Sequence, residues 1–245
     1  MRNIRLKIQY DGSNYSGWQT QTERLGIQEV LETAIREITG ENINLIASGR
    51  TDAKVHSLGQ VANFRTQSSI PGENFLKVSN NRLPEDIRII ESAEVDFDFH
   101  SRFDAKKKRY RYRISNKEIA NPIDRNYSYN VERPLEIEEM KASLKYFIGK
   151  HDFESFMGPR SVVSSTVRTI YSIELLEKDG FIEIVIEGNS FLRYMIRIII
   201  GTLIFIGHGK IKKEDIENII LAKDRRKAGP TAPARGLFLE KVYYD

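Results

Sequence analysis

The most informative segment of this 245-residue chain is Gly49-Arg50-Thr51-Asp52-Ala53-Lys54-Val55-His56-Ser57. An apolar run at 43–47 precedes it and an alternating run at 61–64 follows it, which predicts a strand, a tight polar loop and another strand. Loops braced by strands often carry binding and catalytic side chains. The simpler alternative is a capped turn, in which Asp52 bonds its own backbone and pairs with Arg50. The loop alone leaves both interpretations open.

Composition limits the class of protein. With 40% hydrophobic and 29% charged residues, a chain of this length predicts one large or two small globular domains. The absence of cysteine excludes disulfides, thiolate catalysis and zinc–thiolate sites. The four histidines lack metal-ligand spacing, so we expect no metal. The start of the chain lacks the apolar core of a signal peptide, and the apolar run at 194–206 is too short for a bilayer, so we expect a cytoplasmic protein.

Basic residues are clustered, although the net charge is only +4. Six lie within residues 106–113 and four within 223–227. The first cluster alternates with Tyr110 and Tyr112, and aromatic rings can stack on bases while cations hold phosphates. This pattern favours a nucleic acid as the partner, and the alternative is a solvated charged face.

The periodicity of apolar residues predicts a mixed α+β chain. Strands are expected at 3–10, 43–48, 59–65, 87–95, 107–115, 167–177, 181–187 and 237–243. Helices are expected at 26–39, 73–80, 136–148, 190–206 and 212–222. The stretch 116–135, which contains two prolines, is predicted to be a long surface loop.

Six segments along the chain form an ordered set of motifs: Tyr10–Gln19, Gly49–Ala53, Lys108–Tyr112, Gly149–Phe153, Phe191–Arg197 and Gly229–Leu237. In this order they resemble the motifs of the tRNA pseudouridine synthases of the TruA family. The resemblance implies a two-domain α+β fold, residues 1–104 and 105–245, with antiparallel sheets meeting at a central cleft and helices on the outer faces. It also implies a homodimer that needs no cofactor.

By the same resemblance, the activity is isomerisation of uridine to pseudouridine in the anticodon stem-loop of tRNA, at positions 38, 39 and 40. The reaction breaks a C–N glycosidic bond and makes a C–C bond. A carboxylate suits this chemistry, either as a nucleophile at C1′ or as a base and electrostatic stabiliser. The family pattern makes Asp52 that essential carboxylate. A hydrolase would usually need a second carboxylate, and none is obvious near Asp52 in sequence.

The resemblance gives roles to six further residues. Tyr110 would stack on the target base and assist proton transfer, and Arg197 would keep Asp52 ionised. Arg50 would help to occupy the space left by the flipped nucleotide. The other substrate-binding residues are expected to be Lys108, Arg109 and Arg193. From the residues alone, the alternatives for Arg197 are a structural ion pair or a snorkelling arginine at the domain edge, and the alternative for Arg50 is a salt bridge to Asp52.

Two further expectations concern local geometry. Arg193 and Arg197 would share one face of the predicted helix, because they are four residues apart. Lys54 and Ser57 stand where family members usually have glycine and often alanine. If the loop requires positive φ, Lys54 would be strained by about 1–2 kcal/mol; if the glycine gives RNA close access, Lys54 would change those contacts.

The rival to an enzyme is a non-catalytic tRNA-binding protein or RNA chaperone on the same scaffold. Both interpretations predict RNA affinity that falls with salt. They differ in chemistry, because only the enzyme requires the carboxylate of Asp52.

Overall fold

The computed structural model describes residues 1–20, 25–159, 161 and 163–244. The chain divides into two compact units, Met1–Lys106 with Phe238–Asp245, and Lys107–Leu237. Both units combine strands with helices, so the expected α+β class is confirmed. Within the described residues, no helix is both long enough and apolar enough to span a bilayer.

Ten strands and five α-helices account for most of the regular structure of the described chain. The strands are β1 (Arg2–Tyr10), β2 (Ile46–Ala47), β3 (His56–Thr66), β4 (Ile87–Val95), β5 (Lys107–Ser115), β6 (Tyr129–Asn130), β7 (Gly149–Asp152), β8 (Val167–Lys178), β9 (Phe181–Gly188) and β10 (Leu237–Tyr243). The helices are α1 (Ile27–Thr39), α2 (Phe75–Asn80), α3 (Ile137–Ser143), α4 (Met195–Gly207) and α5 (Asp215–Ala222).

The sheet of the first unit has the strand order β4-β1-β3-β10. The first two pairings are antiparallel and the last is parallel. Alternate residues of β1 (Ile4, Leu6 and Ile8) are fully buried, as the period of two in the sequence predicts. They belong to the same core as Ile27 and Leu31 of α1. This core supports β3, whose first residue follows the Asp52 loop.

The sheet of the second unit has the order β5-β9-β8-β7, with antiparallel pairing throughout. Helix α4 is buried on nearly all sides, in keeping with its almost wholly apolar sequence. At Gly201 the helix lies directly against another backbone segment, because a Cβ there would be 1.7 Å from the carbonyl oxygen of Pro230. The backbone N–H of Gly229 donates to Oγ1 of Thr202 on the same helix (2.9 Å). These contacts fix the segment that begins at Gly229.

The predicted elements agree with the structure in position and differ in length. The strand expected at 43–48 has only two residues, Ile46–Ala47. The helix expected at 136–148 is α-helical to Ser143 and 3₁₀ from Leu144 to Phe147. The expected loop at 116–135 contains β6, which pairs with β5. Each difference reflects pairing or packing with residues that are distant in sequence.

The start of the fourth helix was predicted wrongly. Helix α4 begins at Met195, because the left-handed backbone angles of Tyr194 (φ 62°, ψ 0°) are incompatible with a right-handed helix. Arg193 therefore lies outside the helix, and the expected pairing of Arg193 with Arg197 on one helical face is wrong.

The last strand also differs from its expected place. The second domain was expected to run from 105 to 245, whereas Phe238 and Leu239 of β10 pair with His56 and Ser57 of β3 in the first unit. Strand pairing joins residues about 180 positions apart in this case, which periodicity alone does not show.

Gly201→Ala should lower the free energy of unfolding by about 1–3 kcal/mol, because the new methyl group would overlap the Pro230 carbonyl. In an exposed helix the same change would raise stability by about 1 kcal/mol. Urea unfolding measures the difference.

Gly207→Ala is the matched control in the same helix. The nearest atoms to its Cβ would be Leu135 Cδ2 and Met140 Sδ, both at 2.9 Å, and Met140 Cγ at 3.2 Å, and these are side-chain atoms that are able to shift. A loss for Gly207→Ala as large as that for Gly201→Ala would contradict the role of the backbone contact.

Candidate active site

The Asp52 loop is held by the segment that follows β1. Gly17 and Asp52 form an isolated antiparallel bridge. Beside it, the N–H of Trp18 donates to the carbonyl oxygen of Thr51 (3.0 Å), and the N–H of Lys54 donates to that of Tyr15 (3.4 Å). The loop is thus bonded, backbone to backbone, to a segment more than thirty residues earlier in the chain.

Two glycines make this close approach possible. Gly17 has φ +106°, and a Cβ there would be 2.4 Å from the carbonyl oxygen of Thr51. A Cβ on Gly12 would be 2.0 Å from the carbonyl oxygen of Val55. The N–H of Gly12 also donates to Nδ1 of buried His56 (3.2 Å). The two segments Tyr10–Gln19 and Gly49–Ala53 are therefore packed and hydrogen-bonded against each other.

Inside the loop a tight turn positions Asp52. The N–H of Val55 donates to the carbonyl oxygen of Asp52 (3.1 Å). The side-chain amide of Gln60 on β3 donates to the carbonyl oxygen of Gly49 (2.9 Å) and fixes the other end of the loop. The backbone of this loop is hydrogen-bonded at both ends, and these bonds give the Asp52 carboxylate a rigid support.

Lys54 has φ 64°, so the loop does require the left-handed conformation that favours glycine. The lysine is exposed and is strained by about 1–2 kcal/mol relative to glycine. Ser57, the other departure from the family pattern, has a structural role. Its hydroxyl accepts from the N–H groups of Gly59 (3.1 Å) and Gln60 (2.8 Å) and donates to the carbonyl oxygen of Leu239 (3.3 Å).

A buried hydrogen bond joins the loop to β1. The hydroxyl of Tyr10 lies 2.8 Å from Oγ1 of Thr51, next to Asp52. Burial raises the pKa of Tyr10 from its ordinary value of 10.0 to about 12, despite hydrogen bonds that act in the opposite direction. Tyr10 therefore stays neutral over the physiological pH range, and its hydroxyl keeps this bond.

Arg50 and Asp52 are adjacent in the loop but are not paired with each other. Within the described chain, the exposed side chain of Arg50 makes neither a hydrogen bond nor an ion pair. The alternative in which Arg50 forms a salt bridge to Asp52 is therefore wrong.

In the second unit, Tyr110 lies on β5 opposite Ile186 of β9. Its half-buried ring meets the ring of Phe191 edge to face, with 5.3 Å between the centroids. Tyr112, two residues on, is fully buried and donates to the carbonyl oxygen of Pro233 (2.7 Å), and burial raises its pKa. Tyr112 is thus a core residue, whereas Tyr110 is half-buried and packs against Phe191.

The cationic face of β5 is neutralised in part by two glutamates of β9. The pairs are Lys107–Glu187 (2.7 Å), Arg109–Glu187 (3.8 Å), Arg111–Glu183 (3.4 Å) and Arg113–Glu183 (2.8 Å). Glu183 is buried, so these cations also stabilise a carboxylate that would otherwise be costly to bury. Part of the positive charge of the 106–113 cluster is therefore balanced within the fold, and its role as a nucleic-acid patch stays a prediction. Lys108 alternates with these residues and lies on the same face of the strand as Tyr110.

The second basic cluster is also used by the fold. Lys223 pairs with Asp152 (2.7 Å), and Arg226 pairs with Asp224 (2.8 Å). Arg225 donates to the carbonyl oxygen of Gly229 (2.9 Å) and so helps to fix the segment that packs on α4.

Arg197 is held by that same segment. Its Nε–H donates to the carbonyl oxygen of Ala232 (2.7 Å), and the N–H of Ala232 donates to the carbonyl oxygen of Arg197 (3.0 Å). The guanidinium carbon lies 4.8 Å from the centroid of the Tyr194 ring. Within its own unit, a carbonyl and an aromatic ring thus position this half-buried arginine.

The predicted site residues are divided between the two units. Arg50 and Asp52 are neighbours in the first, and Lys108, Arg109, Tyr110, Arg193 and Arg197 are in the second. Sequence reasoning missed Tyr10 and Tyr194. The segment match at Tyr10–Gln19 could have indicated the first, but no sequence signal marks a tyrosine with positive φ. In the part of the chain that is described, no three His, Asp or Glu side chains are grouped as metal ligands.

Comparisons with known proteins agree on one family. The sequence model of a family described as "tRNA pseudouridine synthase" matches residues 7–104 and 144–245. The chain is 47% identical to "tRNA pseudouridine synthase A" of Thermoanaerobacter sp. (strain X514) over 244 residues, 100% of each chain. It is 48% identical to the protein of that name from Acetivibrio thermocellus, again over 100% of each. It is 50% identical to "tRNA pseudouridine synthase A 2" of Clostridium tetani, over 100% of this chain and 99% of the relative.

A solved structure is also similar, at a much lower level. A chain in "Crystal Structure of a Cbf5-Nop10-Gar1 Complex" matches with a TM-score of 0.34 and 15% identity, over 95% of this chain and 56% of that one. Similarity this low supports no argument about this protein.

Lys54→Gly should raise the free energy of unfolding by about 0.5–1 kcal/mol. Glycine removes the left-handed strain, and its greater entropy in the unfolded chain offsets part of the gain. Lys54→Ala removes the charge and keeps the strained φ. Urea unfolding should show no comparable gain for Lys54→Ala, and an equal gain would mean that charge, not backbone strain, is the cause.

Tyr10→Phe should change how stability depends on pH. The folded pKa of about 12 lies above the ordinary value of 10.0, so the stability from neutral Tyr10 is complete below pH 10 and is lost as pH rises towards 12. In that window this residue makes the free energy of unfolding fall by about 1.4 kcal/mol per pH unit. Urea unfolding across the window should give a shallower slope for Tyr10→Phe, and parallel curves would contradict the assignment.

Proposed function

The chain belongs to the tRNA pseudouridine synthase family, and on that premise we propose that it isomerises uridine to pseudouridine in the anticodon stem-loop of tRNA, at positions 38, 39 and 40. The observation that carries the proposal is identity of 47–50% over the full chain with relatives bearing that name. The rigid mounting of Asp52, in the segment that matches the family signature, is the structural support for it.

Asp52 is the essential carboxylate of the proposal. In the reaction the C1′–N1 bond of uridine breaks, the uracil turns over, and C5 bonds to C1′. The proton on C5 is lost and N1 gains one, so substrate and product are isomers. An ionised carboxylate serves this sequence as a nucleophile at C1′ or as a base and stabiliser of positive charge at that carbon. In both cases its geometry matters, and the bridge to Gly17 supplies a fixed support.

Tyr110 and Arg197 are the other two catalytic residues of the proposal. The half-buried ring of Tyr110 is held nearly perpendicular to that of Phe191, and an aromatic ring on this strand suits stacking on a base. Arg197 is always charged, and its Nε–H is already bonded to Ala232. A fixed cation is what would keep a catalytic aspartate ionised, which is the role proposed for Arg197.

Recognition of three neighbouring positions requires contacts to the shape and backbone of the RNA rather than to a base sequence. Arg50 suits a separate role, because its side chain is exposed and makes neither a hydrogen bond nor an ion pair in the described chain. A flipped nucleotide leaves a gap in the stack, and we assign Arg50 to that gap. Lys108, Arg109 and Arg193 are the remaining substrate-binding residues of the proposal.

Two further parts of the proposal concern the protein in the cell. A homodimer and a cytoplasmic location follow from the family resemblance, and both stay predictions. The partner is tRNA, and no cofactor is required by the isomerisation.

The test is pseudouridine mapping on unmodified tRNA transcripts incubated with wild-type protein or Asp52→Asn. Wild type should form pseudouridine in the anticodon arm, and Asp52→Asn should reduce its rate by about 10³-fold or more, because a group acting at the reacting carbon is lost. Asp98→Asn makes the same chemical change at an exposed aspartate of the same unit and should leave the rate unchanged. Binding of tRNA, measured at fixed salt, should be similar for all three proteins.

Each other outcome has a definite meaning. Product outside the anticodon arm would keep the enzyme and overturn the positions. Tight binding of tRNA without product from wild type would favour the non-catalytic RNA-binding protein. Release of free uracil would indicate a hydrolase.

A further inference from the structure

Tyr194 has backbone angles that a tyrosine rarely adopts. Its φ of 62° and ψ of 0° lie in the left-handed region, where a bulky side chain is an outlier. Among the described residues, the other non-glycine positions with positive φ are Lys54, Asp179 and Lys223, so Tyr194 is the one aromatic residue in this set. Strain of this kind persists only where the surroundings impose it, and it is concentrated at functional sites.

The residues around Tyr194 impose its left-handed backbone conformation. The N–H of Gly158 donates to the carbonyl oxygen of Arg193 (2.8 Å), which fixes the chain just before the tyrosine. A Cβ on Gly158 would lie 2.5 Å from Cδ2 of the Tyr194 ring, so the ring occupies space that only a glycine leaves open. The N–H of Ile198 donates to the carbonyl oxygen of Tyr194 (2.9 Å), which starts helix α4 at this residue. The backbone is therefore fixed on both sides of Tyr194, and its ring is packed against Gly158.

The ring of Tyr194 contacts two arginines. The guanidinium carbon of Arg197 is 4.8 Å from the ring centroid, and that of Arg193 is 4.6 Å away. Both distances are within the range of a cation–π interaction. The two arginines differ in their second contact. Arg193 is exposed and donates from Nη2 to the tyrosine hydroxyl (2.9 Å), whereas Arg197 donates from Nε to the carbonyl oxygen of Ala232.

We propose that Tyr194 is a positioning residue for Arg197, which its ring and the Ala232 carbonyl hold in one orientation. The left-handed conformation sets the direction in which the Cα–Cβ bond leaves the chain, and so places the ring against an arginine one turn further along α4. Within the described residues, the tyrosine hydroxyl bonds to Arg193, whereas Arg197 lies over the ring. The ring, and not the hydroxyl, therefore positions Arg197. The expected effect of Tyr194 on catalysis rests on the proposed function, whereas its contact with Arg197 does not.

Three substitutions separate the ring from the backbone. Tyr194→Phe keeps the ring and loses the hydroxyl. Tyr194→Gly and Tyr194→Asn both lose the ring, and both residues adopt positive φ readily. We expect both ringless variants to lower kcat for pseudouridine formation by about 10–100-fold with little change in KM for tRNA, since a misplaced catalytic group costs rate rather than binding. Tyr194→Phe should stay within about threefold of wild type, because a single exposed hydrogen bond is lost.

Asp179→Gly is the matched control. Asp179 has φ 50° in the turn between β8 and β9, so this variant also releases left-handed strain in the second unit. It should leave kcat unchanged. All variants are assayed well below their own unfolding temperatures, so that lost stability is not counted as lost rate.

A second measurement observes the arginine directly and needs no activity. The Nε–H resonance of Arg197, assigned by its absence in Arg197→Lys, reports whether the guanidinium is held. It should be sharp and protected from exchange in wild type and Tyr194→Phe, and broadened or absent in Tyr194→Gly and Tyr194→Asn.

The outcomes separate this inference from the proposed function. Full kcat in the ringless variants, or an equal loss in Tyr194→Phe, would overturn the positioning role. So would an unchanged Arg197 resonance in Tyr194→Gly. If wild type forms no pseudouridine, the proposed function fails, and the resonance alone then supports or overturns the contact between Tyr194 and Arg197.

Discussion

The close approach of two backbones at Gly17 and Asp52 is the constraint on which the rest of the candidate site depends. Without a side chain at residue 17, the N-terminal segment can bond directly to the loop, and backbone geometry sets the position of Asp52, the proposed catalytic aspartate. The same loop keeps Lys54 in a strained conformation, so the fold maintains this geometry against a local cost. A carboxylate that acts at one carbon atom gains from such a support, because orientation contributes to the rate.

A second close approach of backbones serves the second unit. Helix α4 presses against the segment at Gly229 through Gly201, and that segment supplies the carbonyl that holds Arg197. In both units a glycine thus allows two segments from different parts of the chain to meet, and a residue of the proposed site lies beside the contact. Close approach of two backbones is what the surroundings of Asp52 and Arg197 have in common.

Charge is used by the fold more than the sequence suggests. The cations on one face of β5 share Glu183 and Glu187, and most of the cluster at 223–227 is bonded within its own unit. Among the described residues, the exposed Arg50 of the first unit has neither a hydrogen bond nor an ion pair through its side chain, and the exposed Arg193 of the second contacts its neighbour Tyr194. Both are substrate-binding residues of the proposal.

The amino-acid sequence by itself determined the α+β class, the approximate place of nearly every strand and helix, and the family to which the chain belongs. Apolar periodicity carries the first two because burial on one face is a local property of each element. Positive φ at residue 54 was one of the two explanations that the family glycine suggested, and the structure has φ 64° there.

Only the tertiary structure decided which segments meet. It joined β10 to the first unit, set the start of α4 just after Tyr194, and paired the cations of β5 with the carboxylates of β9. Within the described residues, it also left Arg50 without a salt bridge to Asp52. Each of these results depends on contacts between residues far apart in sequence, and their energies are set by distances that no local pattern encodes.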